Sequence, residues 1–68
     1  MAPESLGSNF WQLGPDEKVS GEGGTIEGPK IVRVHEFDDK GKALLMVQAG
    51  DEKVTVNGSD FKAVVQKK

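Results

Sequence analysis

From residue 30 onward the chain alternates. "KIVRVHEF" puts Val32, Val34 and Glu36 on one parity and Ile31, Arg33, His35 and Phe37 on the other. This is the period of a strand with one buried face, and Val32 and Val34 are expected to point inward. "DDKGK" at 38–42 has the Asp and Gly content of a hairpin turn. "ALLMVQA" then reads as a central strand buried over much of both faces, with Ala43, Leu45 and Val47 opposed in parity to Leu44 and Met46. A helix of this length would be short, and Gly41 and Gly50 bracket it, so a strand is favoured. After the turn "AGDEK", the stretch "KVTVN" alternates again, with Val54 and Val56 inward and Thr55 outward.

The two ends read differently. In "GSDFKAVVQKK", Phe61, Val64 and Val65 have helical spacing, Asp60 suits an N-cap and the final lysines suit a helix end. A brief turn through Ser59, Asp60 and Phe61 followed by a strand "KAVVQ" fits as well. It is preferred because it covers a sheet edge that would otherwise stay open. Upstream, "GPDEKVSGEGGTIEGP" at 14–29 holds five of the nine glycines and two of the three prolines, so only Val19 and Ile26 can enter a core. The expectation is a turn, a short strand around Lys18 to Ser20 and a long flexible loop. Residues 1–8, "MAPESLGS", read as a flexible leader, 9–66 as one small β-barrel domain and 67–68 as a C-terminal tail.

The order is thus a short strand, a Gly-rich loop, three antiparallel strands joined by tight turns, a brief turn around Phe61 and a closing strand. Through Val19, Gly23, Gly28, "IVRV", "GKALLMV", "KVTV" and "DFKAVV", residues 16–66 resemble the SH3-like small barrels, the group that includes KOW, Tudor and SH3 domains. The resemblance implies an all-β, five-stranded barrel. The chain has no Tyr, so the paired tyrosines with which SH3 domains hold proline-rich peptides have no counterpart. The convergent aromatics of a Tudor methyl-lysine cage are missing as well, and "GEGGTIEGP" departs from the basic, Gly-Pro-centred loop of a KOW domain.

Size and composition narrow the function. A chain of 68 residues is one domain at most and buries only about 60% of the surface its unfolded form exposes. Cysteine is absent and His35 is the sole histidine, which excludes disulfides and the usual Cys/His zinc sites. The longest apolar run, Ala43 to Val47, is far short of the roughly 20 residues of a membrane helix. No basic-then-apolar opening is present, so a cytoplasmic protein is expected. Net charge is −2, but residues 1–39 carry eight acids against three bases and the remainder six bases against three acids. Such a chain either folds into a polarised surface that steers a partner or interleaves its charges strand against strand.

Candidate chemistry is sparse. "SGEGGTIEGP" lacks the Gly-Lys-Ser/Thr ending of a phosphate loop, and Glu22 and Glu27 would repel phosphate. His35 shares its parity with Arg33, which suggests a solvated face, and no nucleophile converges on it. "EFDD" at 36–39 lacks the twelve-residue calcium-loop pattern and reads as a solvated turn. No catalytic, cofactor or metal site is therefore assigned. In "NFWQLGP", Trp11 and Leu13 share one parity while Phe10 and Gln12 share the other. Trp11 and Leu13 are expected to fold over the open end of the core, leaving Phe10 outside. The Phe10–Trp11 pair is the candidate protein-binding element. The leading expectation is a non-enzymatic binding module that acts through protein–protein contact, as an accessory subunit or by self-association. One alternative is an RNA- or DNA-binding barrel using Lys40, Lys42, Lys53 and Lys62 together with the terminal lysines. A second is an oligomeric enzyme with an axial site.

Overall fold

In the computed structural model, which describes residues 3–67, eight strands and one short helix follow one another. They are β1 (Glu4–Gly7), β2 (Phe10–Leu13), β3 (Glu17–Gly21), β4 (Gly24–Glu27), β5 (Lys30–Asp39), β6 (Lys42–Ala49), β7 (Glu52–Asn57), α1 (Phe61–Val64) and β8 (Val65–Lys67). All pairings are antiparallel, in a five-stranded sheet of order β1-β2-β5-β6-β7 and a three-stranded sheet of order β4-β3-β8.

The alternating valines set the register of the meander. Val34 lies opposite Val47, Val47 opposite Val54 and Leu45 opposite Val56, so β-branched and Leu side chains meet across each ladder on one face. Val32, Leu45, Val47 and Val54 are almost wholly buried, as the alternation predicts. Val19 and Ile26, a cross-strand pair in the other sheet, supply the opposite wall and have no exposed surface. Leu13 and Phe61 complete this core. The β5–β6 turn is a two-residue loop, Lys40–Gly41, with φ of 53° and 82°. Positive φ at both central residues matches the right-handed twist of the flanking strands.

Three regions depart from the expectations. Within the segment read as a flexible leader, Glu4–Gly7 form β1 and pair with β2. The turn between them is Ser8–Asn9, again with positive φ at both positions (46° and 71°), a geometry usually signalled by Asn-Gly. Met1 and Ala2 lie outside the described residues. In the segment read as a tail, Lys67 belongs to β8 and lies opposite Glu17, while Lys68 lies outside the described residues. The Gly-rich loop is an ordered hairpin, β3–β4, rather than a flexible connection. Its tip docks on β7: Glu22 N–H donates to the Thr55 carbonyl and Thr55 N–H to the Glu22 carbonyl, both at 2.9 Å. A Cβ at Gly21 would lie 2.3 Å from the Thr55 carbonyl oxygen, so glycine is what permits this approach. The described residues therefore hold eight strands in two sheets, where five strands in a single barrel were expected.

At the C-terminal end both readings of "DFKAVVQ" contribute. Asp60 caps α1, its Oδ1 accepting from Lys62 N–H at 3.0 Å, and Phe61 packs into the core. Val65 then starts β8 against Val19. Glu17 is the one buried charged residue among those described, 2% exposed. The turn "GPDE" accounts for it. Glu17 N–H donates to the Gly14 carbonyl at 3.2 Å, and its carboxylate accepts from Gly14 N–H in return. Pro15 occupies the second turn position, where its fixed φ suits a type I turn.

Candidate functional site: the outer face of the five-stranded sheet

The parity that sends Val32 and Val34 inward sends Ile31, Arg33, His35 and Phe37 outward along β5. Register extends this row sideways, because residues directly opposite in an antiparallel pair share a face. Phe10 lies opposite Arg33 and Gln12 opposite Ile31. On the other flank Met46 lies opposite His35 and Leu44 opposite Phe37. The Arg33 guanidinium carbon sits 5.9 Å from the Phe10 ring centroid, within cation–π distance. Ile31 is 54% exposed, Phe10 42% and Phe37 39%. A small domain thus carries an outward row of aromatic and aliphatic side chains around one arginine and one half-buried histidine.

Phe10 and Trp11 are placed on opposite faces. Trp11 turns toward the core, its ring centroid 5.1 Å from that of Phe61 and tilted by 51°. It is half-buried and packs on the core cluster together with Val64 and Val65. Beside it lies a hollow of about 270 Å³, walled by Trp11, Val34, Leu45 and Phe61 and edged by Asn9, Glu36, Ser59 and Asp60. A broader groove of about 530 Å³ runs between the β3–β4 tip, the β5–β6 turn and α1. Its lining mixes Ser20, Glu22, Asp39, Lys42 and Thr55 with Leu44, Val56 and Val64.

The four lysines of the nucleic-acid reading are not brought together. Lys40 lies in the β5–β6 turn and Lys42 directly after it, whereas Lys53 lies opposite Gln48 at the other end of the β6–β7 hairpin. Lys62 stands on α1 with its Nζ 6.0 Å from the Trp11 ring centroid. The charge halves interleave: Glu17 faces Lys67, Asp39 faces Lys42, and Lys30 pairs with Glu52 at 3.3 Å. Among the described residues no three His, Asp or Glu side chains gather as a metal site, and no helix is long and apolar enough to cross a membrane.

The sequence reading singled out Phe10 but passed over Ile31, Phe37, Leu44 and Met46 as parts of one surface. The signal was present, since Ile31 and Phe37 share the outward parity of β5. What was missing was the register that sets β2 and β6 beside them. No protein family, curated protein or solved structure matches the chain.

Proposed function

We propose that the chain is a non-enzymatic binding module of the SH3-like small-barrel type, and that it docks another protein on the outer face of its five-stranded sheet. The fold reading is supported by strand order. β3, the β5–β6–β7 meander, α1 and a β8 paired back onto β3 follow the sequence expected of that group, with β4 and the β1–β2 hairpin added. The observation that carries the function is the exposed row Phe10, Ile31 and Phe37 around Arg33. Contiguous apolar surface rimmed by polar groups is characteristic of protein contact sites, and aromatics and Arg dominate their energetics.

The partner is a different chain rather than a second copy. Arg33 lies within the row, so a two-fold axis passing at its position would bring two guanidinium groups together. An apolar surface carrying an acidic side chain complements it instead. Nucleic acid is the weaker reading because the lysines are dispersed.

The test compares the natural chain with Ile31→Ser, Arg33→Glu and, as a control on the other sheet, Gln66→Lys. The purified chain should be monomeric by light scattering. One protein should be retained by the natural chain and by Gln66→Lys but lost with both β5 substitutions. Retention of the same proteins by all four forms, or a monomer–dimer equilibrium abolished by Ile31→Ser, would overturn the reading.

A further inference from the structure

We propose that the outer face of the five-stranded sheet receives one amphipathic α-helix of another protein, laid along β5 with an acidic side chain midway along its apolar stripe. This rests on the docking reading above and names the form of the partner.

Size is the first reason. Register bounds the apolar strip on both sides: Glu4 lies opposite Gln12 on β1, while Lys53, Thr55 and Asn57 lie opposite Gln48, Met46 and Leu44 on β7. The outward apolar side chains between them belong to β2, β5 and β6, and the outer two of three neighbouring strands stand about 10 Å apart. Along β5 the strip runs from Ile31 to Phe37, roughly 20 Å at about 3.3 Å per residue. An α-helix is about 10–12 Å across, and about 14 residues of it cover the same length. The strip is one helix wide, which is narrow for the packing of a second sheet.

The backbone gives the second reason. The ladders to β2 and β6 engage β5 on both edges, so the face itself offers only side chains. An extended segment lying flat on it would bury N–H and C=O groups that find no partner there. A helix pairs its own backbone and brings side chains alone to the contact.

Charge completes the description. Ile31 and Phe37, 54% and 39% exposed, stand at the two ends of the row, with Arg33 and His35 between them. The matching stripe is apolar at both ends and carries its acid over Arg33. Exposed Lys53 and exposed Glu4 border the strip on opposite sides. A helix with one acidic and one basic flank satisfies both in only one of its two directions, so the borders select the direction as well.

The experiment selects binders to the natural chain from two displayed libraries of 18-residue peptides, one patterned with the helical period and one with strict alternation. Binding sites are mapped by amide shifts of the nitrogen-15-labelled chain. The helical library should yield peptides that gain helicity on binding and shift the amides of β5 between Ile31 and Phe37. Arg33→Glu should weaken them by roughly tenfold or more, Gln66→Lys should not, and a peptide with Lys in place of its central acid should recover binding to Arg33→Glu. Binders on this face from the alternating library alone would overturn the helix while leaving the docking reading in place. Helical binders that map elsewhere, or that ignore Arg33→Glu, would overturn it too. So would failure of both libraries, and the docking reading would then stand or fall by the retained protein in the Ile31→Ser and Arg33→Glu comparison.

Discussion

Glu22 and Thr55 exchange two backbone hydrogen bonds of 2.9 Å each, joining the tip of the β3–β4 hairpin to the middle of β7. This pair ties the small sheet to the large one across the open side of the core. It depends on Gly21, the neighbouring residue. An alanine there would place its Cβ 2.3 Å from the Thr55 oxygen and 2.6 Å from Val56 Cγ1. Gly21→Ala is expected to lower stability by about 1–3 kcal/mol, the usual range for overpacking against a fixed neighbour. Urea unfolding with an unchanged midpoint would show that the hairpin tip is not held against β7.

Leu45 is 2% exposed and sits opposite Val56 in the centre of the large sheet. Truncation to alanine removes buried apolar surface and leaves a cavity that its neighbours fill only in part, with a cost of about 2–5 kcal/mol. Domains of this size hold only a small reserve of stability, so Leu45→Ala should be largely unfolded at room temperature by circular dichroism.

The neighbours Phe10 and Trp11 should separate in their effects. Trp11→Ala removes the ring that packs on Phe61 and the core cluster, a loss at or somewhat below the roughly 3–5 kcal/mol of a fully buried aromatic. Phe10→Ala removes exposed surface and an exposed cation–π contact with Arg33, a loss of about 0.5–1 kcal/mol. Thermal melts of the two variants check the order. Emission from half-buried Trp11 should lie to the blue of free indole and be only partly quenched by iodide.

Glu17 offers a test of the "GPDE" turn. Its carboxylate accepts from Gly14 N–H in a nearly dry setting. Glu17→Ala would leave that donor without its partner, at about 1–3 kcal/mol, whereas Glu17→Gln keeps an acceptor of the same shape and should cost less. Denaturant midpoints that fall in the order natural, Gln, Ala are the expected result.

The strands β5, β6 and β7 were legible from residues 30–57 because their alternation is local: a side chain's parity within a strand needs no knowledge of its neighbours. The same holds for the inward turn of Leu13 and Trp11. Features that rest on pairing between distant segments were not legible. Ser8–Asn9 is a weak turn signal, and β1 becomes a strand because β2 offers it a ladder of backbone partners. The glycines at 21–24 have no core-facing side chain to announce a strand; their order comes from Thr55, more than thirty residues further along the chain. Glu17 reads as one more acid in a polar stretch, and its burial follows from the turn that folds Gly14 over it. The outer face is the clearest case. Phe10, Arg33 and Phe37 each read as ordinary outward residues, and they form one surface because register sets β2 and β6 on either side of β5. Local alternation decides which way a side chain points, while the company it keeps there depends on chain segments that only folding brings alongside.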